Sequence, residues 1–167
     1  MKNIGIIRKI DELGRIVLPK ELRKTLSINS GDDFQITIDN EKIILEKYSR
    51  LENYEDKILE IINCFSIFLN YDIFFIVNNK IINYNHEEIS NVISNIILDR
   101  KLFYIDKIGK NIINDSLMKE GRIVIMPVVY NSDLLGSIII ISNDSIKNLI
   151  NCAKIIDNLV KKILLSK

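Results

Sequence analysis

Two periodicities divide the chain. Near its start, Ile4, Ile6, Arg8 and Ile10 alternate with Gly5, Ile7, Lys9 and Asp11, the period-two pattern of a strand with two distinct faces. Asp11-Glu12-Leu13-Gly14 reads as a turn, because acidic residues tolerate turns and glycine adopts positive φ at no steric cost. Arg15 to Leu18 resumes as a β-branched, apolar strand. Pro19 stops it, lacking an N–H for a ladder, and suits the first turn of a helix. Lys20 to Leu26 predicts a short helix with Leu22 and Leu26 on one face and Arg23 and Lys24 on the other. Residues 27–33 are a loop by composition. Phe34 to Ile38 and Lys42 to Tyr48 then predict a hairpin about Asp39-Asn40-Glu41.

From residue 51 the spacing lengthens. Ser49-Arg50 begins a connector, and Leu51, Tyr54, Ile58, Ile61, Phe65 and Phe68 recur at alternating steps of three and four, a heptad seam. The expectation is a helix that is seam-like near Leu51, where it would pair with its own copy, and core-facing near Phe68. Strands follow: Ile73 to Val77, then Lys80 to Tyr84 after an Asn78-Asn79 turn. Asn85 with Glu88 resembles a capping box and predicts a helix carrying Ile89, Val92, Ile93, Ile96 and Ile97. Leu102 to Ile105 predicts a strand, and Lys107 to Glu120 an irregular polar segment. Arg122 to Tyr130 is a strand bent or near an edge at Pro127. After the turn Asn131-Ser132-Asp133, Leu134 to Ser142 is an almost wholly apolar strand expected at the sheet centre. Asn143-Asp144-Ser145 caps a last helix with Leu149, Ala153, Ile156 and Val160 on its apolar face. The fold class predicted is α+β: a small β unit at the start, then a helix and an antiparallel sheet with helices on one side.

Charge sharpens this picture. The formal net charge of the 167 residues is only +1. Yet Gly5 to Leu26 holds Arg8, Lys9, Arg15, Lys20, Arg23 and Lys24 against Asp11, Glu12 and Glu21, six basic residues against three acidic. Positive charge concentrated on one short segment is the footprint of a polyanion partner, although a solvated surface would carry similar residues. About 48 residues with strands this short cannot bury much surface alone, so a second copy is expected to complete the core.

The words GIIRKIDELGRIVLPKELRKTL and SINSGDDFQITIDNEKIILEKY resemble the N-terminal domain of the AbrB family of bacterial transition-state regulators, and the likeness runs through nearly all of residues 2–48. The resemblance implies a swapped-hairpin β-barrel formed by a dimer, and double-stranded DNA as partner. Its DNA-contacting positions fall here on Arg8, Lys9, Arg15, Arg23 and Lys24. Lys24 stands where relatives often have arginine, a change that keeps a phosphate contact and weakens a bidentate one. Met126-Pro127-Val128-Val129 followed by Leu135-Gly136-Ser137-Ile138-Ile139 resembles the closing strand pair of a GAF-type sensor domain. Together these imply residues 1–50 as DNA-binding domain, 51–70 as a linking helix that belongs to either neighbour, and 71–167 as a domain for small-molecule sensing, oligomerisation or both. They also imply a cytoplasmic homodimer or homotetramer regulating sporulation or transition-state genes, with no cofactor. The competing expectations are an antitoxin-like interaction module and a metabolite sensor with vestigial DNA binding. The first would need a disordered tail, and the residues after Tyr48 are instead rich in apolar periodicity.

Catalysis is not expected. Cys64 and Cys152 lie far apart in apolar helical contexts and are expected to be reduced core thiols, with no second cysteine beside either. One histidine, His86, placed at a predicted helix start, and two isolated cysteines make no metal site. No nucleophile–base pair and no phosphate-cradling glycine loop is present. No signal peptide and no run of membrane-spanning length is read. A ligand pocket is expected between the sheet and residues 106–120, with Tyr104, Asn114, Arg122 and Tyr130 as candidate lining.

Overall fold

The computed structural model of the chain describes residues 5–26, 28, 30, 32–48 and 51–165. Expectations that fall on Ile4, on the loop positions 27, 29 and 31, and on the connector Ser49-Arg50 lie outside these residues. The chain divides into two compact units, residues 1–32 and 33–167.

The first unit is built round one turn and one helix. The Asp11 N–H donates to the Arg15 carbonyl at 3.0 Å, and the Gly14 N–H to the Asp11 carbonyl at 2.9 Å. Gly14 takes φ +75, the left-handed conformation that glycine adopts without penalty. This closes a three-residue hairpin tip. The flanking segments carry no regular secondary structure, and no ladder joins them among the described residues. The expected strands are therefore absent as strands in a single chain. Their apolar side chains are bare: Ile7 is 92% exposed and Val17 73%. Helix α1 (Lys20–Thr25) follows Pro19 in the N-cap position.

The second unit starts with a hairpin of β1 (Phe34–Asp39) and β2 (Lys42–Lys47), in the register Ile36↔Leu45 and Ile38↔Ile43. Those four side chains share one face and all are exposed. A 3-10 turn (Glu52–Tyr54) leads into α2 (Glu55–Leu69), which ends on Asn70 in the left-handed conformation. A six-stranded antiparallel sheet follows, made of β3 (Asp72–Val77), β4 (Lys80–Ile81), β5 (Glu87–Glu88), β6 (Phe103–Ile112), β7 (Met118–Tyr130) and β8 (Asp133–Ser142), in the order β5-β4-β3-β8-β7-β6. Helix α3 (Asn91–Leu98) lies between β5 and β6 in sequence, and α4 (Ile146–Leu165) closes the chain. The largely apolar strand β8 sits between β3 and β7, as its sequence demands. The Asn78-Asn79 turn carries φ 50 and 64, and Asn131-Ser132 φ 50 and 70, so both connections are two-residue hairpins with left-handed centres. Pro127 pairs opposite Ser137 on β8, while β6 reaches β7 only as far as Ile125. A residue with no N–H is thus placed where β7's outer flank is open.

Four expectations are corrected. First, helices cover both faces of the sheet. Ile73, Phe75, Val124, Ile138 and Ile140 pack with α2 and α4, whereas Phe74, Ile76, Ile123, Ile139 and Ile141 pack with α3. Strands buried on both faces read as continuous apolar runs, which is what β3 and β8 are. Second, residues 107–120 are largely strand: β6 continues to Ile112 across a bulge between Ile105 and Gly109, and β7 begins at Met118. Gly109 and a mixture of polar and apolar residues, with Ile108 and Ile112 exposed, made them look irregular. Third, α3 is capped by Ser90, whose Oγ accepts the Ile93 N–H at 3.4 Å. Asn85 and His86 instead form a left-handed turn at φ 49 and 53 before β5. Fourth, α2 runs opposite to expectation. Leu51, Ile58 and Ile62 are buried, while Ile67 is 83% and Phe68 88% exposed.

Candidate nucleic-acid interface

All five predicted DNA-contacting residues lie in the first unit, and all are exposed. Arg8 and Lys9 sit on the segment before the turn, Arg15 on its far side, and Arg23 and Lys24 in the last turn of α1. The basic end of α1 lies at its C-terminus, where cations complement the helix dipole.

Arg15 is the most tightly specified of these side chains. Its Nε donates to Asp11 Oδ2 at 2.8 Å. The other carboxylate oxygen, Oδ1, accepts the Arg15 N–H at 2.8 Å and the Leu13 N–H at 3.0 Å. The Arg15 amide, and then its guanidinium, hold the Asp11 carboxyl below the usual carboxylate range. The turn and the ion pair are thus one construction: the acid that makes the turn also grips the arginine beyond it. The sequence marked Asp11 only as a turn former. The signal that would have found its second role is the Asp–Arg spacing across a glycine turn.

The candidate ligand-pocket residues are dispersed. Tyr104 stands on β6, 52% exposed. Asn114 is engaged with Glu87 Oε2 at 3.0 Å and with the Glu88 carbonyl, and its Oδ1 accepts the Leu117 N–H at 2.7 Å. It closes the loop between β6 and β7. Arg122 pairs with Asp106 at 2.8 Å and donates to the Asn143 carbonyl at 2.8 Å. Tyr130 alone of the four lines a described cavity, one of about 480 Å³ shared with Tyr48, Tyr54 and Leu164. His86 Nε2 lies 3.1 Å from Glu55 Oε1.

A larger opening, about 850 Å³, lies between the C-terminal half of α2 and the start of α4. Phe65, Ile67, Phe68 and Ile155 make its apolar walls, and Tyr71, Asp144 and Asn148 its polar end. The Tyr71 hydroxyl donates to Asp144 Oδ2. Burial first, and then this bond, push the Tyr71 phenol up to about 12; the same bond, with help from Asn148, holds the Asp144 carboxyl low. Cys64 and Cys152 both line this opening. The two thiols were expected to have no cysteine neighbour; the fold brings them to one groove, Cys64 exposed and Cys152 buried. Burial raises the Cys152 thiol to about 11. No group of three metal-ligating side chains occurs among the described residues, and no described helix is long and apolar enough to cross a membrane.

Comparison with known proteins gives this arrangement a context. Residues 7–53 match the family model described as antidote-toxin recognition MazE, bacterial antitoxin. Over 155 residues the chain is 29% identical to stage V sporulation protein T of Bacillus subtilis (strain 168), covering 86% of each. Over 48 residues it is 60% identical to the transition state regulatory protein AbrB of the same organism, covering 29% of this chain and 50% of that one. The solution structure of the N-terminal DNA recognition domain of AbrB is 59% identical, over 29% of this chain and 92% of that one, with a TM-score of 0.26. Residues 45–164 match the family model described as stage V sporulation protein T C-terminal, transcription factor. The resemblance read from the first 48 residues is therefore shown, on a relative whose name is that of a transition state regulatory protein. With its larger unit matched almost end to end, the chain belongs to the stage V sporulation protein T C-terminal family of transcription factors.

Proposed function

We propose that this protein is a DNA-binding transcriptional regulator of sporulation or transition-state genes, acting in the cytoplasm as a homodimer that pairs again into a tetramer. The observation that carries the reading is the first unit's surface. Six basic side chains are exposed there on a segment whose apolar residues, Ile7, Ile10, Ile16 and Val17, are also bare. Exposed apolar surface of that kind marks an interface. A second copy would cover it and double the cationic face.

Arg8 and Arg15 would reach a groove, while Lys9, Arg23 and Lys24 hold phosphates. Functional division near residue 50 is supported by the two family matches, which meet between residues 45 and 53. The second pairing is supported by α2 and α4, where Ile67 and Phe68 stand exposed beside an apolar opening of matching chemistry. A small ligand of the GAF-type domain is the remaining proposed partner, and the cavity at Tyr130 offers it space.

The test is Arg15→Ala in the full chain, with native circular dichroism as control. Binding to labelled duplex should fall by about 1–3 kcal/mol, the usual worth of a groove contact, whereas Arg23→Ala should instead flatten the dependence of log K on log salt by about one unit. Unchanged affinity would remove the assignment. The antitoxin match over residues 7–53 favours one alternative, a protein-neutralising module. Failure to bind duplex DNA in dilute buffer, together with stoichiometric co-purification of a small protein, would establish it instead.

A further inference from the structure

We propose that Asp11 is a positioning residue for Arg15, an acid kept beside the DNA face because it aims the guanidinium. The inference rests on the DNA-binding reading above and adds a residue to it. On charge alone Asp11 is misplaced: a carboxylate next to a DNA-contacting arginine repels the polyanion and neutralises part of the attraction. The geometry supplies the reason for its presence. Asp11 receives three donors, the Leu13 N–H, the Arg15 N–H and the Arg15 Nε–H. Its own N–H and carbonyl are occupied by the Arg15 carbonyl and the Gly14 N–H. Both ends of Arg15, backbone and side chain, are thus referred to one residue.

An exposed arginine otherwise samples many rotamers and loses that freedom on binding. Here the Arg15 side chain is 69% exposed yet fixed at Nε, which leaves its two terminal nitrogens as the fork that pairs with a phosphate or a guanine edge. The carboxylate thus trades some attraction for a side chain already in its binding geometry.

The two effects have opposite signs, and that makes the inference testable. Asp11→Asn keeps an oxygen for the two backbone N–H groups but cannot accept the Arg15 Nε–H. If Asp11 acted through charge alone, this variant would bind duplex more tightly. Positioning requires weaker binding, by about tenfold, the usual worth of a hydrogen bond to a charged group. The assay is fluorescence anisotropy of the full chain with a labelled duplex of about thirty base pairs, between about 50 and 200 mM salt. Asp11→Asn is made in the wild-type and Arg15→Ala backgrounds, closing a double-mutant cycle.

The supporting result is a loss in the wild-type background and none in Arg15→Ala. Arg15→Lys is the second arm: it keeps the charge and the turn but has no Nε, so it should fall to the level of Asp11→Asn. Binding by Asp11→Asn that is unchanged or tighter, an equal loss in both backgrounds, or wild-type affinity in Arg15→Lys would overturn the positioning role. If Arg15→Ala itself binds like the wild type, the DNA-contact reading of Arg15 fails, and this inference with it.

Discussion

Phe68→Gln separates folding from assembly. Phe68 is 88% exposed in the single chain, on the last turn of α2. Glutamine is a good helix former, so the substitution should change the stability of the folded unit by less than about 0.5 kcal/mol. The effect belongs at the proposed pairing of the α2 and α4 surfaces. Burying a phenylalanine side chain is worth about 1.5–3 kcal/mol. A two-fold interface contains the residue twice, so the loss per association is about 3–6 kcal/mol, or about two to four decades in the association constant.

Phe75 is the internal control. It is the same residue type at 0% exposure, on β3 in the core shared with α2 and α4. Phe75→Ala should cost about 3–5 kcal/mol of folding stability. Sedimentation equilibrium over a range of protein concentration reads the first effect, and urea unfolding the second. Phe68→Gln should convert tetramer to dimer, and its urea midpoint should equal the wild type's at a protein concentration low enough that both are dimeric. A tetramer that persists at low concentration, or a midpoint lowered as far as in Phe75→Ala, would refute the reasoning.

Four further outcomes follow from the second unit. Gly136→Ala should destabilise by about 2–4 kcal/mol, because a Cβ there would lie 2.7 Å from the Ile76 carbonyl and 2.9 Å from the Phe75 ring; thermal denaturation measures it. Ser137→Ala should be neutral or stabilising, since the Ser137 hydroxyl is fully buried with no hydrogen-bond partner; a clear fall in melting temperature would contradict this. Tyr71→Phe tests pH linkage. The depressed Asp144 carboxyl contributes stability above its ordinary value near 4, lost as pH falls through its lower folded value. The raised Tyr71 phenol contributes below about 10, lost as pH rises through about 12. The gap in urea midpoint between wild type and Tyr71→Phe should therefore be widest near neutrality and narrow at both extremes. In the Phe68→Gln protein, with its groove open, a thiol reagent at pH 8 should modify Cys64 quickly and Cys152 slowly, because the latter is buried with its thiol raised to about 11.

Much of this molecule was legible from local pattern. Gly14, the Asn78-Asn79 pair and Asn131-Ser132 announce their turns, because few residues accept a left-handed backbone and these sequences offer the ones that do. The apolar run Ile138 to Ile141 announces a strand buried on both faces, and its place in the sheet follows. The basic segment is visible because charge survives any fold. What periodicity withholds is direction. It shows that α2 has an apolar stripe, but the half that meets its own sheet depends on where β3 and α4 lie, and these put Ile58 and Ile62 inside and Phe68 outside. That Ser90, and not the expected Asn85, caps α3 was likewise decided by the β4–β5 pairing, which uses up Glu87 and Glu88 as strand. Cys64 and Cys152, 88 positions apart in the numbering, share a groove only because α2 and α4 pack on the same face of the sheet. Sequence alone fixed which residues are apolar, turn-forming or charged, since those are properties of side chains and their immediate neighbours. Tertiary structure decided which apolar faces are covered and which distant groups meet, since that depends on contacts between segments remote in the chain.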